Sequence, residues 1–472
     1  MARHVLLARR SAQSARPIET GGPDLRDKFY AARDTLRTQI WPMPTVGIVV
    51  AIVVGITLPL LDARVDADLP AWLSELLFAG DADAARTVLD AVAGSLITVT
   101  ALTFSLTLVT LQLASGQFSP RLLRTFAADR FVHTTLAIFL ATFVYALTVL
   151  RSVRTAHPGQ DMFVPRMSVT LGFILAIASS LALVLFLAYL VKQIRVETML
   201  RIVHAEASDT VDRVANQQDA ARHIALAPST PATASPLSAT RSGFVTRVDS
   251  LALFSAAVDA DATIVIDASP GDAIVAGIPI GWVWSSRMQG LDVEVLEQLN
   301  ERVGRALFVG YERTAAQDIG FGLRQLTDVA VRALSPGVND PTTAVHALGH
   351  STALLCEVAS KNLGTRVISD ESGVVRVVMH RPDLSNLLDL AISQPRRYGA
   401  SDPDVLAQIY ILLRRLGWVC PPRDRQAIDD QRHRLDKTVA AQDFDDTERA
   451  KLADLSILTG ASTRGEWPPL TT

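Results

Sequence analysis

The residues of this chain whose type and spacing could do chemistry are hydroxyls inside an apolar stretch. Between Ala91 and Ala114 the sequence reads AVAGSLITVTALTFSLTLVTLQLA. Thr100, Thr103, Thr107 and Thr110 recur at helical spacing and share one face. Ser95, Thr98, Ser105 and Gln112 gather on roughly the opposite face. Hydroxyls in an apolar helix can bond to carbonyls one turn back and pack against other helices. They can also line a polar path, or an axis between subunits. No charge lies within the stretch, which argues against a voltage sensor or a carboxylate proton relay. Either stripe could face a path; the expectation adopted is that Thr100, Thr103, Thr107 and Thr110 line the path or an interface.

A second set of polar residues stands further along. Arg324, Asp328 and Arg332 are four apart and form a face of alternating charge. Ser335-Pro336-Gly337-Val338-Asn339 reads as a tight turn, after which Asp340 can cap a helix that Pro341 opens. This is a well-capped helical hairpin, or a polar ligand or subunit contact built from Asp318, Arg324, Asn339 and Asp340. His346 and His350 are spaced as metal-binding histidines can be, but no Glu follows His346 as the zinc-protease pattern requires, so no metal is expected. No Walker loop, nucleophile elbow or dinucleotide fingerprint occurs, and no enzymatic activity or cofactor is expected.

The elements that must hold these residues are set by apolar blocks. The chain has 472 residues, 49% of them hydrophobic, and a net charge of -3. Its mean hydropathy is +0.26. That balance excludes a disordered chain and a basic nucleic-acid binder. Cys356 and Cys420 are the two cysteines, too few for a disulfide framework. Spans are predicted at about 41–61, 91–114, 131–150 and 167–191, each near the ~20 residues a bilayer requires of a helix. Eight basic residues lie between Arg3 and Arg37, whereas Asp62 to Asp90 holds two arginines and seven acids. The excess of positive charge puts both termini in the cytoplasm, although Arg151, Arg154 and Arg166 argue the other way. Gly172, Ala176 and Ser180 follow one another at intervals of four and are expected to let two helices approach closely. His133 is expected to be a hydrogen-bonded interfacial histidine. Ser119 to Phe126 is expected to lie, amphipathic and basic, on the inner membrane surface.

The predicted order is a basic segment over 1–39, a four-helix membrane domain over 40–192, and a helical extension with a Pro/Ser/Thr/Ala linker over 193–242. A small β module over 243–310, a helical or α+β domain over 311–460 and a loose tail over 461–472 complete it. Gly243–Val248 alternates as a strand does, and Thr263–Asp267 reads as another. PGDAIVAGIP, from Pro270 to Pro279, is similar to the hammerhead of lipoyl and biotinyl carriers. No lysine stands between Lys192 and Lys361, so a carrier role is excluded and a small β-barrel-like module is expected.

TLQLASGQFSPRLLRTF (110–126), PGDAIVAG (270–277) and ERTAAQDIGFGLRQLTDVAVRALSPGVNDPTTA (312–344) together resemble the bacterial family of predicted membrane proteins catalogued as domain of unknown function 2254. The resemblance covers residues from about 30 to 455 and implies an integral membrane protein with a cytoplasmic C-terminal domain; it implies no activity. The fold class expected is four transmembrane helices followed by an α+β cytoplasmic domain. The function expected is a homo-oligomeric inner-membrane protein, an ion or small-solute channel gated by its cytoplasmic domain, with the lipid bilayer as partner and no nucleic acid. The alternative is a membrane-anchored sensor or scaffold whose cytoplasmic domain binds a ligand or partner.

Overall fold

The computed structural model describes residues 41–65, 77–117, 129–154, 163–193, 195–219, 227–286, 291–361 and 363–469. The expected N-terminal segment and the Ser119–Phe126 surface helix lie outside them. The chain divides into two units, residues 1–111 with 123–188 and residues 112–122 with 189–472.

Among the described residues four helices are long and apolar enough to cross a membrane: α1 (Pro42–Val65), α2 (Ala82–Gln117), α3 (Arg130–Leu150) and α4 (Arg166–Gln193). Helix α2 begins nine residues ahead of its apolar window. Ala82, Ala85 and Leu89 are buried in the core of the first unit, so packing extends the helix past Asp83, Arg86 and Asp90. Small residues set the closest approach. A Cβ on Gly47 would lie 3.2 Å from the Ala137 carbonyl, and one on Gly55 2.8 Å from Thr148 Cβ. Gly47, Ala51 and Gly55 thus form a small-residue ridge at intervals of four by which α1 meets α3.

The end of α1 carries the strongest polar contact of this unit. Asp62 is 2% exposed. Its carboxylate accepts from the Met167 and Ser168 amides, both at 3.0 Å, and from the Ser168 hydroxyl at 2.6 Å. These are amides at the start of α4, which have no acceptor within their own helix. The negative charge also meets the positive end of the helix dipole. Tyr145 of α3 donates to the Ser168 carbonyl at 2.9 Å, so three helices converge on one turn.

The second unit starts with α5 (Val196–Asp219), in the stretch expected to be a helical extension. Then follow β1 (Ser235–Ser238), β2 (Gly243–Val248), α6 (Ser250–Asp259), β3 (Ala262–Ile266), β4 (Ala273–Ile274), β5 (Pro279–Ser285), α7 (Val293–Ala306) and β6 (Leu307–Gly310). The remainder is α8 (Ile319–Ala333), α9 (Pro341–Ser360), β7 (Arg366–Ser369), β8 (Val375–Met379), α10 (Leu384–Tyr398), α11 (Pro403–Val419), α12 (Arg425–Ala440) and α13 (Asp446–Thr463).

The strands form no closed barrel among the described residues, contrary to expectation. They make a five-stranded sheet, β1-β5-β3-β8-β7, and a three-stranded sheet, β4-β2-β6. The reason lies in β3. One edge pairs antiparallel with β5 and the other parallel with β8, Ile264 opposite Val377. The edge that would have closed a barrel is taken by a strand more than a hundred residues later. All five residues of β3 are buried; a strand with covered faces reads as a continuous apolar run. Leu253 and Ala257 of α6 and Leu299 and Val303 of α7 join Ile264, Ile266, Val283 and Val377 in one core. The end of the chain is also more ordered than a tail. Helix α13 runs to Thr463, and Trp467 lies against Trp418 (ring centroids 5.5 Å apart) and under the Arg414 guanidinium at 4.1 Å. That cation–ring contact anchors the segment.

Replacing Asp62 by Ala removes the two oxygens that accept three hydrogen bonds from Met167 and Ser168. The expected cost is about 1–3 kcal/mol, read as a lower thermal unfolding midpoint in detergent, with Asp62→Asn intermediate because its amide keeps one acceptor oxygen.

Candidate functional site

The structure separates the two polar faces of α2. Thr100, Thr103 and Thr110 are buried and Thr107 is partly buried, whereas Ser95, Thr98, Ser105 and Gln112 are exposed. Most inward hydroxyls are spent on the helix itself. Thr100 donates to the Leu96 carbonyl at 2.6 Å, Thr107 to Thr103 at 2.8 Å and Thr110 to Leu106 at 2.9 Å. Thr103, 0% exposed, has a hydroxyl oxygen with no partner. The nearby core holds another hydroxyl pair, Ser179 donating to Thr142 at 3.2 Å. On the outer face Ser95 and Thr98 bond back to Val92 and Gly94, and a Cβ on Gly94 would meet nothing within 4 Å. A groove of about 510 Å³ opens between Trp41, Pro44 and Ile48 of the first span, Ile97, Thr100 and Phe104 of α2, and Leu136 and Leu140 of α3.

The expected packing residues are divided in the same way. Gly172 is buried, and a Cβ there would lie 3.2 Å from Leu89 Cδ2. Ala176 is partly buried in the core of the unit, and Ser180 is exposed, its hydroxyl on the Ala176 carbonyl. His133 is buried at the start of α3.

In the second unit the expected ligand residues do not come together. Asp318 stands at the start of α8, and Asn339 and Asp340 stand beyond its end. A helix of 15 residues is roughly 22 Å long. Arg324 and Asp328 are half-buried along α8, and Arg332 is exposed. Asn339 takes a positive φ of 48°, which its side chain tolerates. Asp340 caps α9, accepting from the Thr343 amide at 3.1 Å and hydroxyl at 2.6 Å. These bonds hold its carboxyl below the usual range.

Asp318 has a different role. It is 3% exposed, and Arg313 Nε and Nη2 both reach its Oδ2, at 2.8 and 2.7 Å. Burial pushes this carboxyl above its ordinary value against the pull of Arg313. The Pro270-Gly271-Asp272 turn packs onto the pair. Gly271 has φ +100°, and a Cβ there would stand 2.3 Å from Asp318 Oδ2 and 2.9 Å from Arg313 Nη2. Asp272 turns back to accept from the Ser269 amide at 2.8 Å, and Ser269 donates to the His380 carbonyl at 2.8 Å. Gln317 accepts from the Val248 amide at 2.9 Å, continuing β2 with a side chain. Two separate motifs of the sequence, PGD and ERTAAQD, are therefore one knot. Arg313 lies within the ERTAAQD motif but is not among the expected site residues; its signal is a guanidinium five residues before a carboxylate at the head of a helix.

His346 and His350 lie on α9, and the His204 ring of α5 is 5.3 Å from that of His350. Among the described residues no group of three or more His, Cys, Asp or Glu is arranged to hold a metal ion.

The knot yields a paired prediction. Gly271 and Gly277 both have positive φ, but only Gly271 faces a neighbour within 4 Å. Gly277→Ala is expected to cost about 1–2 kcal/mol from backbone strain alone. Gly271→Ala is expected to cost clearly more, because it also displaces the Arg313–Asp318 pair; chemical unfolding of both variants measures the difference.

Comparison with known proteins gives relatives along most of the chain. An uncharacterized protein of Mycobacterium tuberculosis is 35% identical over 424 residues, covering 89% of this chain and 80% of the relative. An uncharacterized protein of Mycobacterium bovis is 34% identical over 422 residues, with the same coverage. No solved structure matches. A family model described as a predicted membrane protein matches residues 37–415. With that match laid over four apolar helices and the α8–α9 hairpin, the chain belongs to the DUF2254 family of predicted membrane proteins.

Proposed function

We propose that this protein is a homo-oligomer of the bacterial inner membrane whose copies meet around the outward face of α2 and pass an ion or small solute along it. The second unit would lie in the cytoplasm and gate the path. The observation that carries this reading is the exposed line Ser95, Thr98, Ser105 and Gln112 on a helix that belongs in a bilayer. Backbone-bonded Ser and Thr are tolerated by lipid, but a primary amide is costly there without a partner. A second copy, or water along an axis between copies, supplies that partner.

The inward Thr100, Thr103, Thr107 and Thr110 face suits a path less well. Three of its hydroxyls are committed to the helix, and the face is packed against the other spans. A single unit thus has little polar surface left inside to replace a hydration shell. The basic excess over residues 1–40 supports a cytoplasmic N-terminus, and an even number of spans returns the chain to that side.

Ion flux through the purified protein in liposomes tests the reading. Thr98→Leu with Ser105→Leu is expected to lower flux by about ten-fold or more, the effect of roughly 1.4 kcal/mol on a barrier. Thr103→Leu with Thr107→Leu is expected to act on stability first. Absence of wild-type flux across several salts and pH values, or equal flux in wild type and the outward pair, contradicts the proposal.

A further inference from the structure

Helices α5 and α9 meet along a series of polar rungs. His204 faces His350, the ring planes inclined at 55°. One turn further along α5, Ser208 donates to Glu357 Oε2 at 2.8 Å. One turn beyond that, Asp212 pairs with Lys361, which also donates to Glu357 Oε1 at 2.9 Å. The rungs advance in the same direction on both helices, so the two run parallel here. The later rungs match donors with acceptors and opposite charges. The first does not: it sets two imidazoles together, with His346 one turn back on α9.

Among the described residues no carboxylate is set against the His204–His350 rung itself; Asp340, at the head of α9, acts on His346, which is exposed one turn back. His204 Nδ1 is buried and has no hydrogen-bond partner. Burial, and after it the charges of His204 and His346, push the His350 pKa below that of an ordinary histidine. The carboxylate on the same face of α9, Glu357, is taken by Ser208 and Lys361. From α8 the group brought against this part of α5 is Gly322, whose Cβ position lies 2.3 Å from Ala207 Cβ. From α11 it is the neutral amide of Gln408, 4.0 Å from the Cβ position of Gly349. On α8, Arg324 and Asp328 are half-buried and Arg332 is exposed; on α11, Arg415 acts on Cys356, Arg414 lies over Trp467 and Asp404 pairs with Lys451.

We infer that His204 and His350 form a proton-operated latch between α5 and α9. With neutral rings the first rung packs and α5 stays seated. A proton on His350 has the His204 ring and not a carboxylate against it, so the first rung opens while the Glu357–Lys361–Asp212 rungs hold. The sign follows from linkage. A histidine whose value is lowered in the closed state resists protonation there, and the opened or unfolded chain takes the proton more readily. The contact is therefore at full strength above about pH 6.5 and weakens as pH falls below it. Two residues separate the end of α4 at Gln193 from the start of α5 at Val196, so α5 is the helix that follows the last span along the chain. The latch stands whether or not the protein conducts.

The test is amide hydrogen exchange of the full chain in detergent, read on peptides from α5 at pH 7.5 and pH 5.5 and corrected for intrinsic rates. Wild-type α5 is expected to lose protection at the lower pH by up to about ten-fold, the limit for one imidazole that stays neutral in the closed state and takes a proton with an ordinary histidine value in the open one. His350→Gln and His204→Gln are each expected to remove most of that loss while leaving exchange at pH 7.5 as in the wild type. Equal wild-type protection at both pH values, or an unchanged loss in both variants, overturns the inference. Should the variants fail to fold, carbon-2 hydrogen exchange of each wild-type imidazole gives its titration directly. Half-protonation of His350 below that of a free imidazole supports the latch, and half-protonation at or above it overturns the inference.

Discussion

The Asp62 carboxylate holds the membrane unit to one arrangement. In a bilayer the chain must satisfy its own polar groups, and the opening turn of α4 has amides that its own helix leaves without acceptors. Asp62 supplies the acceptors from the end of α1, and Tyr145 reaches the same turn from α3. One charged group thereby sets the relative depth of three helices. The Gly47–Ala51–Gly55 ridge brings α1 close to α3, and Gly172, one turn into α4, lets Leu89 of α2 approach. With those contacts made, the rotation of α2 is decided: its threonines are packed inward, and its serines and Gln112 are left outside. The proposed path follows from that rotation.

The second unit depends on a comparable device with different chemistry. A buried carboxylate at the head of α8 is costly without a partner, and Arg313 supplies the charge while the Gly271 turn covers it. Because Gly271 admits no side chain at that point, the turn that follows β3 can approach the helix that follows β6. This ties the turn after β3 to the head of α8.

Much of this was legible in the sequence, and the parts that were not have physical reasons. The four spans could be read because a bilayer imposes a length and a composition that few other helices meet. The strands at Gly243–Val248 and Thr263–Asp267 and the cap at Asp340 could be read because alternation and capping are local. Which face of α2 turns inward could not be read, since helical periodicity shows two polar stripes and nothing in it marks a neighbour. Asp62 looked like the first residue of an acidic loop, and only its partner one hundred residues on makes it a cap. The barrel expectation failed because PGDAIVAG specifies a turn, whereas closure depends on which strand takes the free edge of β3. The grouping of Asp318 with Asn339 and Asp340 failed because a full helix stands between them. Gly47, Ala51 and Gly55, by contrast, have the same spacing as Gly172, Ala176 and Ser180 and were readable by the same rule.

The claim on which the account rests is that the outward face of α2 meets water or another copy and the inward face does not. Single cysteines at Ser105 and at Thr103, in a chain with Cys356 and Cys420 replaced by serine, test it in proteoliposomes with a water-soluble thiol reagent and an oxidant. The account predicts that Ser105→Cys is labelled or cross-links to a second copy and that Thr103→Cys does neither. Labelling of Thr103→Cys with Ser105→Cys inert would contradict it.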